Sequence, residues 1–369
     1  MKIDRIVLTH VRVPLVEPFR ISSGEVTAKD GIIVAIESDG LTGYGEASPM
    51  AGSFYSSDTP ESVWNDLAIA LVPSVLRNPP TLVAELQEIL NRAGGSPFAR
   101  AGIETPFWDL EGQRMGKPLW ELLGGRNSPV ESGLAVGIYP TIDRMLGVID
   151  RCMREGYRRI KIKIQPGWDL VPLEAVRSRF PDIPLMVDAN CAYTQKDVPH
   201  LKHLDRFGLT MIEQPLPKND LEGHAKLQKE IQTPVCLDES ADDIQSIQQA
   251  IRFGACRIVN IKIQRVGGLA NAKAIHDLCQ ANNIPVWAGT MPELGIGGVQ
   301  TLHLATLENF RFPTDVESSS RWFTEDIVEP PLQVTNGLLR VAPGPGNGHR
   351  VNAEAIRRWT IREAEFTAG

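Results

Sequence analysis

Five residues in the middle of the chain, Lys163, Asp188, Glu213, Asp238 and Lys262, follow one another at intervals of 25, 25, 25 and 24 residues. Each acid closes an apolar run, in LMVDAN, MIEQPL and VCLDES, and each lysine sits in an alternating stretch, RIKIKI and VNIKI. One strand, one helix and two loops take about 25–30 residues in a parallel barrel, so the interval puts all five at one height on successive strands. In a closed parallel barrel that height is a single mouth, where active sites are built. An open doubly wound sheet would spread the five along an edge instead. Three carboxylates converging in a low-dielectric mouth repel one another. A divalent cation relieves this, and an all-oxygen donor set suits Mg²⁺, with Mn²⁺ as a substitute, over Zn²⁺. A single such acid is more often a solvated strand end or a helix cap. Three at one period, flanked by lysines at the same period, point to a metal site.

The lysines add the reactive groups. Side chains alternate along a strand, so Lys161 and Lys163 share a face. Neighbouring ammonium groups and a cation lower each other's pKa, which makes one of them a usable base near neutral pH. Lys262 stands beyond the acid-bearing strands, so two lysines flank one cation from opposite sides. A carboxylate bound to such a cation stabilises an adjacent carbanion as an ene-diolate. One lysine removes the α-proton. The other returns a proton, giving racemisation, or stands as a cation beside the enolate during an elimination. Lys161 is expected to contact the substrate carboxylate or to tune Lys163. Asn190, two residues past Asp188, shares its face and is a candidate for orienting that carboxylate. Glu239 points away from the cation by alternation and is expected to contact Lys262 or another ligand from behind.

The rest of the chain must position these groups. Residues 1–46 read as strands, with Asp39-Gly40 a hairpin signal and the polar stretch Arg20-Ile-Ser-Ser-Gly24 a mobile loop. Thr59-Pro60-Glu61 reads as a helix start, and residues 99–123 are mostly helical in pattern, closed by Gly124-Gly125. From about residue 130, seven short apolar runs alternate with amphipathic segments, which implies βα units and a parallel sheet. The expected organisation is an α+β capping domain over 1–125, an α/β barrel over 126–325, and a C-terminal segment over 326–369. A net charge of −7 leaves no basic excess for nucleic acid, and no apolar run is long enough to span a membrane. The N-terminus lacks the apolar core of a signal peptide, and the five cysteines are odd in number and dispersed, so reduced thiols and a cytoplasmic location are expected.

As a set, Lys161-x-Lys163, Asp188-Ala-Asn190, Glu213-Gln-Pro215, Asp238-Glu-Ser240 and Asn260-x-Lys262 resemble the enolase superfamily, in its muconate-lactonizing subgroup. Sites of that superfamily pair a lysine or histidine base with Mg²⁺. The resemblance covers essentially the whole chain and implies a (β/α)₇β modified TIM barrel, capped by the α+β domain, with the C-terminal segment returning to the cap. Within the subgroup the chain is most similar to the o-succinylbenzoate synthase/N-succinylamino acid racemase family, on Pro18–Gly24, Gly43-Tyr-Gly-Glu46, Ser53-Phe-Tyr55, Ser318–Trp322 and Pro343–Gly346. That family implies syn-dehydration in menaquinone biosynthesis, racemisation of N-acylamino acids, or both. It further implies a small-molecule carboxylate as partner, association into homo-oligomers, and substrate contacts from Ser22, Ser23, Tyr55, Met291, Glu293 and Gly295. Two features depart from it. Gly298 stands where the family carries arginine, and Gly289-Thr-Met291 looks more like muconate cycloisomerases. Asp315-Val-Glu-Ser also lacks the Asp-x-Asp of dipeptide epimerases. The alternatives are a muconate-type cycloisomerase and, from a different class, a non-catalytic binding protein on the same scaffold. A zinc hydrolase would need histidines at the five positions, and none stands there.

Overall fold

The computed structural model describes residues 2–21, 24–50 and 56–367. The N-terminal part is an antiparallel sheet of β1 (Arg5–Ile21), β2 (Gly24–Ser38) and β3 (Leu41–Ala47). Asp39 and Gly40 both take positive φ, as a two-residue hairpin turn requires. The stretch read as a loop is strand on both sides of its tip, because Arg20 pairs with Glu25 and Ile21 with Gly24. Strand pairing satisfies the backbone whatever the polarity of the side chains, so composition alone missed the strand at Arg20, Ile21 and Gly24.

Helices cover this sheet. α1 (Pro60–Asn65) is capped by Thr59, whose hydroxyl accepts from the Ser62 amide at 3.1 Å. α2 (Pro97–Met115) starts on Ser96 with proline at its first turn and ends at Gly116 in the left-handed conformation. β3 lies directly on α2. A Cβ on Gly43 would stand 2.2 Å from the Pro106 carbonyl oxygen, and one on Gly45 would stand 2.2 Å from Pro106 Cδ. Backbone-to-backbone contact of this kind leaves no room for repacking. Gly43→Ala is therefore expected to destabilise the protein by about 1–3 kcal/mol, seen as a lower midpoint in urea denaturation.

The seven apolar runs form seven parallel strands in unbroken order: β4 (Leu134–Val136), β5 (Ile160–Lys163), β6 (Leu185–Asp188), β7 (Ile212–Glu213), β8 (Val235–Leu237), β9 (Ile258–Ile261) and β10 (Val286–Ala288). The segment after β10 closes the ring. Arg311 N–H donates to the Val286 carbonyl and Asp315 N–H to that of Ala288, while Thr314 bonds to Glu131 and Gly133 on the other side. This gives a (β/α)₇β barrel, with Met186, Met211, Cys236, Ile258 and Trp287 packed together as a small buried cluster. The last strand, β11 (Thr360–Thr367), pairs antiparallel with β1 and extends the N-terminal sheet to four strands. Among the described residues no helix is long and apolar enough to cross a membrane.

Candidate active site

Lys163, Asp188 and Glu213 are register partners on β5, β6 and β7. The row then shifts. Glu213 pairs with Cys236, and Asp238 lies two residues farther along its strand, just past β8. Equal sequence spacing predicted equal height. The stagger of neighbouring strands in a closed barrel moves the acid up one layer while keeping it on the same face. Lys262 follows the end of β9 and begins α3 (Ile263–Val266). All five side chains are buried.

Lys163 Nζ donates to Asp188 at 2.5 Å and to Asn190 Oδ1 at 2.9 Å. Lys161 donates to Glu213 at 3.3 Å and to Asp315, and lies 3.9 Å from Asp188. Lys262 donates to Asp238 at 3.0 Å, and Arg265 also binds Asp238. The Asn260 amide bridges Glu213 and Asp238 at 2.7 and 2.8 Å. Burial pushes Glu213 up to about 8, reinforced by Asp188 and partly offset by Lys161. Burial also acts to raise Asp238, but Arg265 and Lys262 hold it well below the usual carboxylate range. Lys161 is drawn upward: burial opposes its charge, yet Asp315, Glu213 and Asp188 outweigh that.

As placed, the three carboxylates turn onto these cations and onto Asn260, and among the described residues no three acidic, histidine or cysteine side chains enclose a common point. In donor chemistry the set fits a hard divalent cation. It is anionic, all-oxygen and buried at the ends of adjacent strands, and burial, reinforced by the Asp188 charge, raises Glu213, a cost that a cation would relieve.

A cleft beside these groups is lined by Lys161, Lys163, Asn190 and Lys262, with Asp315, Met50, Met291, Phe19 and Trp322 among its other walls. Ser22, Ser23 and Tyr55 lie outside the described residues. Glu239 accepts from Asn190 Nδ2 at 3.1 Å, and Asn190 in turn accepts from Lys163. Glu293 and Gly295 do not line the cleft. Gly295 heads α4 (Gly295–Leu304), donates its N–H to Asp326 at 2.9 Å, and packs so that a Cβ would meet Val328 at 2.3 Å. Gly298 is buried in the same helix, where a Cβ would stand 2.9 Å from Leu332, so it faces the C-terminal segment.

Glu293 is buried, as are both of its carboxylate oxygens. Burial, then Glu46, pushes it up to about 7. The folded protein therefore keeps a proton that the unfolded chain loses near 4.5. The stability from this group is fully present below that pH and lost as pH rises through about 7. Glu293→Gln is expected to remove the loss, making the variant more stable than the parent at pH 8 by at most ~3 kcal/mol, measured by denaturation at pH 5 and pH 8.

Several neighbours of the site carried weaker sequence signals. Arg159, two residues before Lys161 on the same face, bonds to Asp315 at 2.8 Å and stacks 5.1 Å from the Trp287 ring centroid. Asn260 precedes Lys262 by two. Gln214 holds the Asp238 and Ser240 amides at 2.9 and 3.1 Å. Asp315 has no apolar run to announce it.

Residues 3–124 match the family model of the mandelate racemase/muconate lactonizing enzyme N-terminal domain, and residues 145–355 match the enolase C-terminal domain-like model. The chain belongs to the mandelate racemase/muconate lactonizing enzyme family of the enolase superfamily. Among its curated family relatives, an o-succinylbenzoate synthase of Geobacillus kaustophilus is 44% identical over 98% of this chain and 96% of its own. An N-succinylamino acid racemase of Thermus thermophilus is 39% identical over the full length of both chains. A solved enolase-superfamily structure from Listeria innocua superposes with a TM-score of 0.95 at 34% identity, covering all of both chains.

Proposed function

We propose that the protein abstracts the α-proton of a carboxylate, acting as an o-succinylbenzoate synthase by syn-dehydration, as an N-succinylamino acid racemase, or as both. The observation that carries this reading is the placement of Lys163 and Lys262. Their strands are four staves apart in an eight-membered ring, hence across the barrel from one another, and both side chains line one cleft. The full-length likeness to a synthase and a racemase supports the same chemistry.

Lys161, held charged by three carboxylates, does not serve as the base. It offers a fixed positive charge to the substrate carboxylate. Asp188, Glu213 and Asp238 would hold Mg²⁺, and when bound the cation supplies charge that stabilises the enolate oxygens. Lys163, steadied by Asp188 and Asn190, removes or returns the proton on one face of the α-carbon. Lys262, against Asp238, does so on the other. In racemisation the two exchange roles as donor and acceptor. In syn-dehydration one lysine takes the α-proton and protonates the departing hydroxyl on the same face, while the other remains a cation opposite the enolate. The enzyme is read as cytoplasmic, and dehydration as its main reaction would place it in menaquinone biosynthesis.

The test is to assay both reactions with Mg²⁺ and with EDTA. Racemisation is followed by polarimetry on N-succinylamino acids, and dehydration by the absorbance of the aromatic product. At least one is expected, and EDTA is expected to abolish it. Absence of both reactions defeats the reading.

A further inference from the structure

The cleft has two apolar walls of methionine that come from different parts of the chain. Met50 follows β3 in the cap, and Met291 follows β10 in the barrel, yet both are buried in one hydrophobic cluster. Methionine is unbranched and adapts its shape, so the side chains alone specify such a wall poorly. Its form depends on how the two backbones are held.

A polar cluster behind the wall holds both. Lys29 Nζ donates to the carbonyls of Ser48 and Pro49 at 2.9 and 3.0 Å, immediately before Met50. Glu46 accepts from the amides of Leu294 and Gly297, three and six residues after Met291, at 2.9 and 2.8 Å. The Ser48 hydroxyl also donates to Glu46. Gln264, one residue into α3 beyond Ile263 and Lys262, accepts from the Ser48 amide and donates to the Glu46 carbonyl, each at 2.9 Å. Lys29, Glu46 and Gln264 are 4%, 0% and 1% exposed. Burying such charges is costly, and an apolar set of equal volume would serve cohesion at least as well. What an apolar set would not do is fix the Ser48–Met50 and Met291–Gly297 backbones at hydrogen-bond precision.

We infer that Lys29 and Glu46 are a pair of positioning residues that couple the cap to the loop after β10 and thereby set which α-substituent the Met50–Met291 wall accepts. The choice of substrate rests on the function proposed above; the coupling does not.

Two measurements test it on the full-length protein. The first is amide hydrogen exchange. Lys29 does not touch the Leu294 or Gly297 amides, yet Lys29→Met is expected to speed their exchange by about tenfold. Glu46→Gln is expected to do the same to the Ser48 amide, which Gln264 holds, so this isosteric change carries the test should Lys29→Met not fold. The second is selectivity. The ratio of kcat/KM between N-succinyl derivatives with a small and a large apolar side chain is expected to shift about tenfold in Lys29→Met, mainly through KM. Lys29→Arg, which keeps the charge, is expected to restore part of the ratio. Wild-type exchange at the remote amides overturns the coupling. An unchanged ratio, with kcat falling equally for both derivatives, overturns the specificity role. If the unaltered protein turns over neither derivative, the substrate reading fails, and the exchange result decides the coupling by itself.

Discussion

Lys163→Ala is expected to lower racemisation or dehydration by about 10²–10⁴-fold, the usual contribution of a positioned acid–base group. The informative part is what survives. In the proposed reaction Lys163 and Lys262 approach the α-carbon from opposite sides of the barrel, so each would serve one enantiomer of an N-acylamino acid. With Lys163 gone, Lys262 still removes the proton on its own face. The variant should exchange the α-proton of one enantiomer with solvent without converting it to the other, and Lys262→Ala should show the mirror pattern. Proton NMR of each pure enantiomer in D₂O reads this directly. A muconate-type cycloisomerase needs one lysine as an acid, so loss in only one variant would favour that alternative. Equal exchange of both enantiomers in both variants would remove the lysines from the chemistry.

The second large effect concerns the carboxylates. Glu213 is bonded by Lys161 and by Asn260, and is hemmed in by Asp188 and Asp238. Glu213→Gln keeps the shape and removes one negative charge from the donor set. It is expected to weaken Mg²⁺ binding by at least about 10²-fold, since changes even to groups behind metal ligands cost about 10–100-fold. Isothermal titration with Mg²⁺ measures this without any substrate, and catalysis should fall in parallel. Asn260→Ala, which removes a bridge between Glu213 and Asp238, should give a smaller loss of the same kind. Unchanged Mg²⁺ affinity in Glu213→Gln would place the cation elsewhere.

Much of the fold was legible because the strands of a parallel barrel are short apolar runs at a steady interval, and all seven appear where the runs stand. The eighth stave was not, since Arg311–Val316 has no apolar run and is recognised only by its hydrogen bonds to β10 and to Glu131–Gly133. Asp315, which it carries, was overlooked as a partner of Lys161 for the same reason. The one-layer rise of Asp238 follows from strand stagger, a property of closure that spacing does not record. The candidates after β10 show a different limit. Met291 lines the cleft while Glu293 and Gly295 do not, because the chain turns away into α4 within those few residues. Glu46 was noticed only as part of a motif. Its work, accepting amides from the loop some 250 residues later, is a tertiary contact that no local pattern announces.

The central claim is proton abstraction at the α-carbon of a carboxylate. The most direct measurement is proton NMR of N-succinylamino acids incubated in D₂O with the unaltered protein and Mg²⁺. The account predicts loss of the α-proton signal from both enantiomers, halted by EDTA. A signal that persists for every such carboxylate, and for the dehydration substrate, would contradict it.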